Sequence, residues 1–393
     1  MKQLDQKYVL PTYARNYINF VKGKNATLWD EEGNEYIDFT SGIGVVSVGH
    51  SNERLSSAIC EQAKNIIHIS NLYYIEPQAK LAQKIVELSG IEGKTFFANS
   101  GAEANEGALK IARKQGEVDG KIKRYKVITL KNSFHGRTIT TVKATGQEKM
   151  HTSYFGPYPD GFVYADDIND IYNKIDSKTI AVMIELIQGE GGVYPFDKEE
   201  VQKLANELKK RDILLIIDEV QTGIYRTGEF LASNLYEIKP DIITMAKGLG
   251  GGVPIGAIFT TLDVLKPGDH GSTFGGNYLS TRAGLEVCEI LEEYKDSGKL
   301  DENFIYFEER LNNIADKYHK LFEEVAGLGM MRALRCRGSE IQDLIYKEAH
   351  NKRVLVLKAG RNSIRFLPPL TITKEEIKKG FDRFEEVLRE ISE

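Results

Sequence analysis

Apolar residues gather along this chain in short, near-continuous runs, separated by stretches whose apolar positions recur every three or four residues. Runs of the first kind read as strands covered on both faces, and stretches of the second kind as helices with one buried stripe. The candidate strands are Tyr125–Leu130, Ile180–Glu185, Ile213–Asp218, Ile242–Met245 and Ile255–Thr260. Between them, Lys198–Arg211 sets Val201, Leu204, Ala205 and Leu208 at helical spacing, which predicts a crossover helix. Such alternation specifies an α/β fold with a mainly parallel sheet, whose ligands sit at the carboxyl ends of the strands.

The flanks are patterned differently. Ala26–Asp30 and Glu35–Phe39 surround Glu32-Gly33-Asn34 in the manner of a hairpin. After the helical stretch Leu279–Tyr294 come amphipathic patterns over Asn303–Glu323 and Ile341–Asn351, then short strands at Val354–Leu357 and Ser363–Phe366. The expectation is a large domain over 50–292 and a smaller α+β domain assembled from both termini, 1–49 and 293–393. At 393 residues the chain is long enough for two cores.

A net charge of -5, with both signs interspersed, points away from nucleic acid and from a membrane surface and toward small-molecule chemistry. Cys60, Cys288 and Cys336 are widely spaced, which argues against a disulfide framework and a zinc site; no metal is expected, and a reducing cytoplasm fits. No stretch reaches the roughly 20 apolar residues of a membrane span, and the N-terminus has no apolar leader, so a soluble, unprocessed protein is expected.

The chemistry concentrates at strand ends. Ala246-Lys247-Gly248-Leu249-Gly250 follows one apolar run and Asp218-Glu219-Val220-Gln221 closes another. A lysine buried among glycines and apolar strands has a depressed pKa and becomes a nucleophile toward an aldehyde, and a strand-end aspartate can hold a protonated pyridine nitrogen. The pair suggests pyridoxal phosphate. Asn99-Ser100-Gly101-Ala102-Glu103-Ala104-Asn105 opens a helical run and offers backbone N–H groups to an anion. Phe134 could stack on a ring and Arg137 clamp a carboxylate. Glu185 and Glu190 end another buried strand, His270–Asn277 is a hydroxyl- and glycine-rich loop, and Arg365 stands on a short strand where it could bind a second carboxylate. Taken singly, each has an ordinary reading: Lys247 as a solvated loop residue, Asp218 as a cap, Ser100 as a helix start, Phe134 as core, Arg137 and Arg365 as surface cations, and His135 as structural or substrate-adjacent.

The ordered set Asn99–Asn105, Phe134–Thr138, Glu185–Gly192, Asp218–Gly223, Lys247–Gly252, Gly271–Asn277 and Arg365–Pro369 resembles the class III aminotransferases of PLP fold type I, over essentially the whole chain. Together with Ser70-Asn71-Leu72-Tyr73-Tyr74, it is most similar to the branch acting on acetylated ornithine. The resemblance implies that Lys247 carries the cofactor aldehyde and shuttles a proton, that Asp218 holds the pyridine nitrogen and Gln221 the phenolic oxygen, and that Phe134 and Val220 sandwich the ring. Ser100, Gly101 and Ala102 would hold the phosphate with Thr273 of a second copy, making a homodimer with shared sites, and Glu219 would belong to the same cofactor shell. Arg137 would take the α-carboxylate of the acylated amine donor, with Ser272 beside the substrate. Arg365 would take that of 2-oxoglutarate or glutamate, and Glu190 would mask Arg365 in alternate half-reactions.

Alternatives on the same scaffold are transamination of succinylornithine, ornithine, 4-aminobutyrate or acylated diaminopimelate or lysine, and an aminomutase. From another class comes a catalytically silent PLP-binding regulator. Leu186, Tyr225 and Ser51-Asn52-Glu53 depart from the family pattern. Arg332, Arg335 and Arg337 crowd one small-domain strand, where they read as snorkelling surface cations or as a change in substrate choice. Ile43 stands where ornithine δ-aminotransferases carry a tyrosine for the free α-amino group, which favours an acylated donor.

Overall fold

Seven strands form the central sheet, in the order Lys94–Ala98, Gly256–Thr260, Ile242–Met245, Leu214–Asp218, Thr179–Ile184, Lys126–Leu130, Phe162–Ala165. The structure, a computed structural model, describes residues 1–118 and 122–392. Neighbouring strands are parallel except at Gly256–Thr260, which is antiparallel to both of its neighbours. The five expected strands lie within one residue of their anticipated ends.

The central strands are buried throughout because each face has its own helical cover. Ala181, Met183, Leu214 and Ile216 pack against Ala104, Ala108, Leu109 and Ile111 of the helix Gly101–Gln115. The alternate residues Val182, Ile184, Leu215 and Ile217 pack against Val201, Leu204 and Leu208 of the crossover helix Lys198–Lys210. That helix starts where Asp197 accepts a hydrogen bond from the Glu200 N–H.

The hairpin Thr27–Asp30 with Glu35–Asp38 is present, extended by Phe20–Lys24 on one side and by Val354–Leu355 on the other. A separate antiparallel sheet runs in the order Phe322–Leu328, Met331–Cys336, Ser363–Phe366, Leu357–Ala359. Three expectations need correction here. The helix expected over Asn303–Glu323 spans Lys299–Lys317 instead, because Phe322 is drawn into the sheet opposite Cys336. The expected strand Val354–Leu357 divides between two sheets. Arg332 and Arg335 are not surface cations: Arg332 is 7% exposed, donates to the Gly327 and Gly329 carbonyls at 2.8 and 3.0 Å and pairs with Glu308, while Arg335 pairs with Glu324.

Among the described residues, no helix is long and apolar enough to cross a membrane.

Candidate active site

The carboxyl edge of the central sheet and the start of the helix Gly101–Gln115 enclose a cavity of about 400 Å³. Ser100, Gly101, Ala102, Phe134, Arg137, Asp218, Val220, Gln221 and Lys247 all line it.

Asp218 is the last residue of its strand and is 4% exposed. Its Oδ2 accepts from Asn105 Nδ2 and His135 Nδ1, each at 2.8 Å, and its Oδ1 accepts from the Val220 N–H at 3.0 Å. Since a carboxylate only accepts, His135 Nδ1 carries the proton in that bond, while Nε2 is buried without a partner among the described residues. Asn105 is held in turn by the Thr244 hydroxyl, which donates to Oδ1 at 2.7 Å.

Lys247 follows the strand Ile242–Met245 in a left-handed backbone conformation, φ +43°, which side chains rarely adopt. Burial depresses the pKa of its amine, against the partial opposition of Glu190.

Gly101 and Ala102 open a 15-residue helix capped by the Ser100 hydroxyl, which accepts from the Glu103 N–H. Their own N–H groups have no partner among the described residues and face the cavity at the positive end of the helix dipole. A Cβ on Gly101 would lie 2.7 Å from Val220 Cγ1, so glycine is what lets the helix start and the cavity wall come together.

Arg365, 2% exposed, donates from Nη1 to Glu190 Oε1 at 2.7 Å and to Gln221 Oε1 at 3.2 Å. Burial works against ionisation of Glu190, but the Arg365 guanidinium outweighs it and holds the carboxyl below its usual range. Arg137 is exposed, stands 5.6 Å from the Phe134 ring centre and shares with Glu190 an adjoining cavity lined also by Lys149 and Lys358. Glu185 is buried, and burial pushes its carboxyl up to about 7.

A nearby buried cation braces this region. Arg226, with no carboxylate partner among the described residues, donates to the Met330 and Pro368 carbonyls at 3.2 and 2.5 Å, and burial pushes it down to about 9.

Three anticipated residues stand apart from the cavity. Glu219 points the other way, accepting from Ala232 N–H, Ser233 N–H and the Ser233 and Thr222 hydroxyls, so its side chain fastens a helix start away from the cavity. Ser272 sits beside it, with Oγ accepting from Asn99 Nδ2 at 3.1 Å, and Thr273 is exposed at the rim. Asn105 was not anticipated as a site residue, although it lies four positions after Gly101 and therefore on the same helical face.

These groups suit pyridoxal phosphate: an amine held toward its neutral form, a strand-end carboxylate fixed as an acceptor, unpaired N–H groups at a helix start, and a wall of Phe134 and Val220. Residues 9–388 match the family "Aminotransferase class-III", and the chain belongs to that family of PLP-dependent aminotransferases. The family takes amino-acid and 2-oxoglutarate substrates. The chain is 61% identical over 390 residues to an acetylornithine aminotransferase of Wolinella succinogenes, covering 99% of each. It is 43% identical to one from Methanocaldococcus jannaschii, covering 99% of this chain and 98% of the other. Among solved structures it superposes on the ornithine aminotransferase of Toxoplasma gondii with TM-score 0.93 at 32% identity, covering 100% of this chain and 94% of that one. It also superposes on the N-acetylornithine aminotransferase of Stenotrophomonas maltophilia with TM-score 0.84 at 30% identity, covering 100% and 99%.

Proposed function

We propose that this enzyme transfers the δ-amino group of N2-acetylornithine to 2-oxoglutarate, giving N-acetylglutamate 5-semialdehyde and glutamate by a ping-pong course, a step of arginine biosynthesis. The observation that carries the reading is the Arg365–Glu190 pair standing beside an exposed Arg137. One pocket must take an ω-amine in one half-reaction and an α-amine in the other. With Glu190 on Arg365, the pocket presents a single free arginine, Arg137, to the α-carboxylate of the donor. When glutamate enters, Glu190 swings away and Arg365 takes the carboxylate. The name shared by the Wolinella and Methanocaldococcus relatives supports the same donor.

The bound cofactor supplies an aldehyde that exchanges amines and a ring that spreads the electron pair left on the substrate carbon. Lys247 Nζ, kept toward its neutral form by burial, would hold the cofactor and would be the group placed to take a proton from the carbon bearing the amine. Asp218 keeps the ring nitrogen protonated, and its fixed bonds to His135 and Asn105 set the direction in which it accepts. Gln221 donates to the phenolic oxygen, Phe134 and Val220 close the ring faces, and Ser100, Gly101 and Ala102 hold the phosphate.

Thr273 completes the phosphate site of a second copy, and Ser272 lies beside the substrate. Support for a homodimer comes from Leu72, Tyr73, Tyr74 and Phe274, which are 88, 65, 101 and 62% exposed on the same rim. Residues 50–292 act as the cofactor-bearing domain, with 1–49 and 293–393 as the smaller one. Three unpaired cysteines fit a cytoplasmic enzyme.

The test is a set of single half-reaction spectra of the PLP form with N2-acetylornithine, ornithine, 4-aminobutyrate and glutamate. Fast conversion by acetylornithine and glutamate alone is expected; conversion by glutamate and none of the ω-amines discards the donor. The second reading, ornithine itself, is favoured by the Toxoplasma neighbour. Ile43 speaks against it, since it offers no hydroxyl for a free α-amino group.

A further inference from the structure

We propose that Glu185 is a positioning residue whose buried carboxylate bridges the Phe134 and Gly189 amides and so locks the aromatic wall of the cavity to the loop that carries Glu190. The strand Thr179–Ile184 ends immediately before it, and Glu185 is 5% exposed. Its Oε1 accepts from the Phe134 N–H at 3.0 Å and its Oε2 from the Gly189 N–H at 3.2 Å. One oxygen thus serves each loop. A second tie runs outside the first, from Gln188 Nε2 to the Lys131 carbonyl at 2.8 Å, so the segments 131–134 and 188–189 are joined twice.

The joined loop has little room to relax. A Cβ on Gly189 would fall 2.2 Å from Gln221 Oε1, and the Glu190 carbonyl accepts from the Gly360 N–H at 2.9 Å. Glu190 therefore swings between partners from a backbone held on both sides, and the single carboxylate of Glu185 reaches both that loop and the Phe134 turn. A carboxylate here is costly, because it is desolvated and lies near the charge on Asp218. In its ionised form the group offers two acceptors and no donor, which is what the two amides require. A carboxamide of nearly the same shape turns an NH2 toward one of the two amides, donor against donor, and must release one loop.

The inference rests on the proposed roles of Phe134 and Glu190, and its test separates the two. In the full-length holoenzyme, amide hydrogen exchange is followed over 131–136 and 187–192 for the wild type, Glu185→Gln and Glu185→Asp, alongside the glutamate and amine-donor half-reactions. For Glu185→Gln we expect exchange about tenfold faster at one or both segments, with the rest of the protein unmoved. The ratio of the two half-reaction specificities should shift by about tenfold, mainly through KM. Glu185→Asp retains an all-acceptor group and should fall between, which also serves if the amide variant folds poorly. Unchanged exchange at both segments overturns the clamp, and faster exchange with an unchanged substrate ratio overturns its positioning role. If Glu190→Gln itself leaves that ratio unchanged, the failure lies in the switch assignment, while the exchange result still judges Glu185.

Discussion

Arg365 Nη1 meets Glu190 Oε1 at 2.7 Å across 175 positions of sequence, and the arginine is almost wholly enclosed. A guanidinium in that position is stabilised by its negative partner, because stripping one member from a buried pair exposes the full desolvation cost of the other. Departure of Glu190 is therefore favoured by the entry of another carboxylate.

The variant Glu190→Gln removes the mask without changing the bulk. We expect the half-reaction with glutamate to stay within about threefold of wild type, while preference for the acylated ω-amine donor falls by about tenfold or more, as for a lost charge-assisted contact. Stopped-flow conversion with each substrate measures both; an unaltered preference removes the switch.

Acid should act through the same pair. The folded-state pKa of Glu190 lies below its unfolded value of about 4.3, so the unfolded chain binds the extra proton. The stability that the pair contributes is complete above that value and is lost as pH falls through the lower folded-state one. Chemical unfolding of wild type and Glu190→Gln should show a constant gap at neutral pH that closes in the acid range.

For Lys247→Met, turnover should vanish while the cofactor-free protein becomes more stable at neutral pH, by roughly 1 kcal/mol, the ordinary scale for relieving a buried polar group. The sign follows from the depressed pKa: folding disfavours the charged amine, and that penalty stands in full below the folded-state value. The gain should shrink as pH rises toward about 10.4. A less stable variant would show that the amine is well solvated.

Gly101→Ala places a methyl 2.7 Å from Val220 Cγ1, where wall and helix start must separate. Overpacking of this kind costs about 1–3 kcal/mol, and here it should appear as roughly tenfold or more weaker cofactor binding. Titrating the cofactor-free variant with PLP measures it; wild-type affinity would take the helix start out of the contact.

The parts of the site that were legible in the sequence are those carried by local pattern. Asp218 and Lys247 each follow a continuous apolar run, so strand ends could be placed and the chemistry set at the sheet edge. The direction of the Glu219 side chain needs one further step: side chains alternate along an extended chain, so a residue next to a cavity-facing Asp218 faces elsewhere. The Asn303–Glu323 helix was overrun because its apolar spacing continues through Leu321 while the pairing of Phe322 with Cys336 is set by a strand that comes later. The edge strands Lys94–Ala98 and Phe162–Ala165, only partly covered, are not among the strands the sequence pattern predicts.

The brace at Arg226 bears on how the enzyme changes partners. Its guanidinium binds the Pro368 carbonyl, three residues beyond Arg365, and its backbone lies five residues beyond Gln221, which itself contacts Arg365. One short loop thus grips both walls of the substrate pocket, and separating them would strand a cation in the interior with nothing to replace the carbonyls. Alternation between two kinds of amine is then a matter of torsion angles about a few bonds, inside a frame that stays as it was folded.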